Sequence, residues 1–190
     1  GLSAKSTKGR DDIAFKNPGV GTVEKDLNIK LNDINKEAVK IIIKDYNLPQ
    51  SASSRKAALR SNKATKMISE KVGQAVLNEM KDLMLKKVNK LDQSKRRDYI
   101  IKSWIDADAD LYPPYVKVTG KGSKSPYTAD VEDPLNNPKL KALLESKITF
   151  ESVGNESIGV KAGTKKILKM RFKYESEKLA SSMKMSGDPW

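Results

Sequence analysis

Three stretches of this chain hold residue types whose spacing could support chemistry. Asp106-Ala107-Asp108-Ala109-Asp110 sets a carboxylate at every second residue, as the opening of an EF-hand calcium loop does. That loop also needs glycine at its sixth position and a bidentate glutamate at its twelfth. Here those positions are Leu111 and Lys117, so the match fails. Asp106, Asp108 and Asp110 are left as a weak Mg²⁺ or Ca²⁺ site, or as a helix end that takes ion pairs from basic helices. Gly120-Lys121-Gly122-Ser123 has the flavour of a phosphate loop, but that motif places a glycine five residues ahead of its Gly-Lys pair. This chain has Tyr115 there. A basic loop with Lys121 and Lys124 whose amides meet a phosphate is the residual reading.

The third stretch is the sharpest enzymatic option. Metal-dependent nucleases set an Asp ahead of a Glu-x-Lys pair on a strand; the carboxylates hold Mg²⁺ and the lysine positions or polarises water. Asp130 or Asp133, followed by Glu145-Ser146-Lys147 at the entry to an Ile148 strand, follows that order loosely. A lysine-rich chain also produces Glu-x-Lys by chance.

Other chemistry is excluded outright. The chain has no cysteine and no histidine. Disulfides, thiolate nucleophiles, Cys/His zinc sites and imidazole acid–base catalysis are therefore absent. A Ser–Lys dyad survives elimination, but no serine is singled out. No cofactor is expected.

The elements that must position any site follow from periodicity. Ile148 and Phe150, then Ile158, Val160 and Ala162, then Leu168, Met170, Phe172 and Tyr174 alternate with other side chains, separated by glycine-containing turns. A period of two puts successive side chains on opposite faces of a strand. The three runs read as an antiparallel meander with one apolar face and one basic face. Upstream, Ile34, Ala38, Ile41 and Ile42 predict a helix over 32–46. A stripe from Ile68 to Leu91 predicts one long helix over 54–91, with a break near Asn62 or Gly73 as an alternative. Ile100, Ile101, Trp104 and Ile105 predict a third helix over 95–108, and a short helix is expected over 139–146. A short strand is expected at 115–119, a further helix over 175–184, and a loose end beyond Ser186.

The expected fold is α+β: N-terminal helices, one of them long, packed on a small antiparallel meander. Residues 1–25, rich in Gly, Ser, Lys and Asp, read as a flexible or extended basic arm, a disordered tail in isolation or a segment ordered by strand addition or by a neighbouring subunit. Residues 26–110 form the helical region and 111–190 the mainly β region, together one domain of the 190-residue chain. No apolar run spans a bilayer and no cleavable leader is visible, so membrane insertion and secretion are not expected.

Charge directs the functional expectation. Lys and Arg number 37 against 24 Asp and Glu, a net charge of +13, and residues 51–105 alone carry 14 against 5. An excess of that size and segregation points to a polyanionic neighbour. The residues expected to touch it are Lys86 and Lys87, the Lys95-Arg96-Arg97 cluster, Lys121 and Lys124, and the basic strand face Lys169, Arg171 and Lys173. Cations in the first turn of a helix oppose its dipole, which marks Lys95-Arg96-Arg97 for binding. The expected role is non-enzymatic: a structural or assembly protein, such as a virion or large-complex subunit, beside DNA or RNA and contacting protein subunits through its arm. It would work in the cytoplasm or inside a virus particle. A sequence-nonspecific nucleic-acid binder and the Mg²⁺-dependent nuclease are the alternatives.

Overall fold

The computed structural model describes residue 13 and residues 15–105, 115–119, 128–132 and 137–190. The expectations at Asp106, Asp108, Asp110, Lys121, Lys124 and Asp133, and at arm residues 1–12, lie outside the described residues.

The architecture is α+β. Five helices come first: α1 (Val20–Leu27), α2 (Asn32–Tyr46), α3 (Ala52–Ser61), α4 (Lys63–Val88) and α5 (Gln93–Ser103). They are followed by β1 (Tyr115–Thr119), β2 (Thr128–Glu132), α6 (Pro138–Glu145), β3 (Ile148–Val153), β4 (Ser157–Ala162), β5 (Lys165–Tyr174) and β6 (Met183–Pro189). Strands β3-β4-β5-β6 form one antiparallel sheet in chain order. β1 pairs with β2 in a separate two-stranded sheet, so the strand expected at 115–119 exists but does not join the meander.

Caps explain where the helices break. The expected 54–91 helix is two helices, because Asn62 is extended (φ −130°) and its side chain accepts from the Thr65 N–H at 3.1 Å. That side chain replaces a continuing backbone bond and starts α4 afresh. Gly73 leaves the helix intact; a Cβ there would sit 2.5 Å from Lys178 Cβ, so the glycine makes room for the β5–β6 connection. The expected 95–108 helix starts two residues earlier, capped by Asp92 (Lys95 N–H to Asp92 Oδ1, 2.9 Å), and Trp104 ends it. Asn137 caps α6 through the Lys139 and Leu140 amides.

Two further differences have physical causes. Residues 175–184 are not a helix, and the expected loose end is strand β6. Phe172 pairs with Met185 and Tyr174 with Met183, so the ten-residue β5 gains a partner on its second side. Residues 20–25, expected as part of the arm, lie in helix α1. Ile13 and Phe15 are buried, Phe15 bridges to Ile105, and the Lys16 N–H bonds the Trp104 carbonyl at 2.8 Å. Asn17 Oδ1 accepts from the Gly187 N–H of the edge strand β6 at 3.0 Å. Ile13 and residues 15–19 are thus held by contacts within their own chain, and the two isolated apolar residues were too few to show a period.

The core is a single cluster joining helices and sheet. Val76, Leu77, Met80, Met84 and Val88 of α4 meet Ile148, Ile158, Val160, Leu168, Met170 and Phe172, with Trp104 fully buried among them. Burial of side chains of this size contributes about 1.5–3 kcal/mol each. The result is a sheet with one face sealed by helices and the other turned to water.

Candidate nucleic-acid interface

Strand alternation sorts the sheet. Leu168, Met170, Phe172 and Tyr174 of β5 are buried; Lys169 and Lys173 are half-buried and Arg171 is exposed on the other face. Register brings Lys161 beside Lys166, Gly159 and Asp188 beside Lys169, Ser157 and Ser186 beside Arg171, and Lys184 beside Lys173. The expected basic strand face thus runs along β5, with Lys161 beside Lys166 at one end and Lys184 beside Lys173 at the other, and with Gly159, Ser157, Ser186 and Asp188 flanking its middle.

Acids neutralise only part of this face. Lys161 pairs with Glu151 at 3.0 Å, Arg171 with Glu156 at 2.8 Å and Lys184 with Glu175 at 2.8 Å. The Lys184 hydrogen bond holds the Glu175 carboxyl below its usual value. Lys166, Lys169 and Lys173 have no ion-pair partner among the described residues. Lys173 stands directly opposite Lys184, and like charges at such a cross-strand position repel unless an anion intervenes. A cavity of about 380 Å³ beside that pair is lined by Asn17, Pro18, Gly19 and Met185 as well as the two lysines.

Trp190 closes the opposite end of the face. Its Cζ3 and Cη2 atoms lie over Gly159, where an added Cβ would come within 2.5 Å of the ring. The Lys161 and Lys166 ammoniums stand 5.4 and 4.9 Å from the indole centroid, a pair of cation–π contacts. Trp190, Lys161, Lys166 and Lys184 were not among the residues expected from sequence. The alternation of Met183 and Met185 was the one available signal for the strand that carries Lys184 and leads to Trp190.

The arginines behave differently. Arg96 donates to the Leu91 (2.8 Å), Asn89 (2.8 Å) and Ile148 (2.9 Å) carbonyls and lies 5.5 Å from the Phe150 centroid. Arg97 donates to the Leu143 and Ser146 carbonyls at 2.8 and 3.1 Å. Asn89 and Ser146 cap the C-terminal ends of α4 and α6, Leu143 lies in the last turn of α6, Leu91 lies in the α4–α5 turn, and Ile148 starts β3. A helix C-terminus carries unpaired carbonyls and partial negative charge. Arg96 and Arg97 are therefore offset within the fold by carbonyls at and beyond neighbouring helix ends, whereas Lys95 is not. Lys95 and Lys86 are exposed and Lys87 is half-buried, with no acid partner among the described residues. Lys86 and Lys87 sit in the last turn of α4, where the helix dipole favours them.

Arg55 is the clearest case of this internal use. It is 5 % exposed, and its guanidinium donates to the carbonyls of Leu179 (2.7 Å), Gln50 (2.7 Å) and Pro49 (3.1 Å). Burial lowers its pKa. It pins the β5–β6 connection, where Leu179 has φ +62°, onto α3.

The catalytic options gain little geometry. Glu145 is the last residue of α6 and Lys147 precedes β3, both exposed, so the alternation that would set them side by side on one strand is missing. Asp130 lies on β2, opposite Lys117. Among the described residues no three acidic side chains gather in a metal-binding group. Two serines meet lysines: the Lys56 ammonium donates to Ser176 Oγ at 3.0 Å, and the buried Lys81 ammonium donates to Ser152 Oγ at 2.8 Å and lies 2.7 Å from Asp82 Oδ1. A lysine acting as base must receive the serine proton, whereas each of these nitrogens is the donor to its serine. The Lys81 contact anchors α4 to the end of β3.

Among the described residues no helix is long and apolar enough to cross a membrane. Comparison with protein-family models, curated proteins and solved structures finds no match. The fold defines an α+β protein with one covered and one open sheet face, and the open face is the site with the most chemistry to offer.

Proposed function

We propose that this is a non-enzymatic structural or assembly protein that lies against nucleic acid, gripping it through the open face of β4, β5 and β6. One observation carries the reading: Lys166, Lys169 and Lys173 project from a single strand with no ion pair to an acid among the described residues, Asp188 opposite Lys169 included. Lys169, Arg171 and Lys173 follow one another at about 6.6 Å, two residues of strand rise. Charges at that pitch suit successive phosphates of one backbone, and phosphate neutralisation releases counterions. A subunit of a virus particle or similar complex fits such a surface, inside a particle or in the cytoplasm. The Gly, Ser, Lys and Asp of residues 1–12 suit contact with other subunits.

The test is a binding titration with labelled single- and double-stranded oligonucleotides across a salt series. The association constant is expected to fall linearly with salt on logarithmic axes, with no strand cleavage when Mg²⁺ is added. A flat salt dependence, or Mg²⁺-dependent cleavage, would overturn the proposal.

A further inference from the structure

Resting on that reading, we infer that the favoured nucleic acid is single-stranded, with an unpaired base docking on the Trp190 indole while its phosphates follow β5. The face combines a row of cations along one strand with an aromatic ring at one end of the row. This is the composition of surfaces that bind single strands, where a basic track follows the backbone and aromatic rings take the bases. A duplex hides its base faces in the stack and offers a ring on an open sheet nothing to dock on.

The ring is held in place by the sheet. Gly159 has no side chain, and the six-membered ring of Trp190 occupies the space that a Cβ would take, with Val153 Cγ2 beside it. The indole therefore lies against bare strand backbone instead of swinging into solvent. Its other neighbours are the ammoniums of Lys161 and Lys166, both on flexible stems. A lysine–indole contact facing water is weaker than the stacking of a base on an aromatic ring. An arriving base displaces the ammoniums from the ring, and each then stands where the flanking phosphate needs a counter-charge. Trp104, the other tryptophan, is fully buried, so changes in fluorescence on binding report Trp190.

The experiment compares four probes of equal length against the full chain: oligothymidylate, oligouridylate, an abasic single strand and a duplex. Oligothymidylate and oligouridylate are expected to quench tryptophan fluorescence and to bind roughly 5- to 100-fold tighter than the abasic strand. Trp190→Ala is expected to bring both down to the abasic affinity while leaving the salt slope unchanged. Gly159→Ala, which displaces the ring but keeps the indole, is expected to do the same and covers the case in which Trp190→Ala fails to fold. Equal affinity for base-bearing and abasic strands, or tighter binding of the duplex, would overturn the inference while leaving salt-dependent binding standing. Failure of every probe to bind would remove the underlying reading as well.

Discussion

Arg55, Arg96 and Arg97 and the lysines of β5 are both positive, yet they face opposite problems. The arginines sit where helix ends and turns leave carbonyls to be satisfied, and their forked donors satisfy two or three of these each. Lys166, Lys169 and Lys173 have no ion-pair partner among the described residues; Lys166 meets the Trp190 ring and Lys169 stands opposite Asp188 without a salt bridge to it. A guanidinium that holds the fold together is poorly placed to hold a ligand, whereas an unpaired ammonium on a rigid strand loses little when an anion arrives. Counting charges along the chain cannot distinguish the two populations. Their partners in space can.

The largest effect should come from the arginine side. Arg55→Ala strands the Leu179, Pro49 and Gln50 carbonyls in a buried setting and is expected to cost about 3 kcal/mol in urea unfolding. Arg96→Ala should cost about 2 kcal/mol, since its partners are only partly buried. In both variants, whatever remains folded should bind nucleic acid with the wild-type salt slope. A changed slope at normal stability would place these arginines in the interface instead.

A smaller effect is expected at the α1–α2 joint. Burial works against ionisation of Glu24, but the Leu31 and Asn32 amides and the Asn32 side chain more than offset it, so its pKa lies below 4.5. A carboxyl lowered on folding contributes stability that is complete above 4.5 and is lost as pH falls through the lowered value. Glu24→Ala should cost about 1 kcal/mol at neutral pH, the usual worth of a helix cap. Unfolding curves of the variant and wild type should converge as the medium becomes acidic. Glu177, lowered by its hydrogen bond from Arg60, follows the same sign. A gap between Glu24→Ala and wild type that stays constant with pH would show that the carboxylate charge is not the cause.

Smallest in stability, and most telling for function, is the combined Lys166→Ala, Lys169→Ala and Lys173→Ala variant. Only the Lys166–Trp190 ring contact is lost, and Lys169 and Lys173 have no ion-pair partner among the described residues, so stability should fall by less than about 1 kcal/mol. The salt slope on a single strand should flatten by about 0.7 for each phosphate contact removed.

The same contrast explains how much was legible in the sequence. The meander, the α+β class and the basic odd-numbered side of β5 follow from local alternation at Ile148–Tyr174. Asn62 as a helix break and Pro138 as a helix start are local signals as well. The roles of Arg55, Arg96 and Arg97 were not legible, because their acceptors lie 124, 52 and 46 residues away in the chain. Trp190 gained a role only when β6 formed, and that strand depends on β5 rather than on any strong pattern of its own. Phe15 is a similar case: one aromatic among small polar residues, it is ordered by Ile105 and by the space over Gly187.

The most direct measurement is the slope of log association constant against log salt for wild type, the triple lysine variant and Arg97→Ala, on one single-stranded probe. If the open sheet face is the interface, wild type and Arg97→Ala give the same steep slope and the triple lysine variant a flatter one, by about 2 in total. A triple variant as steep as wild type would show that nucleic acid does not lie along β5.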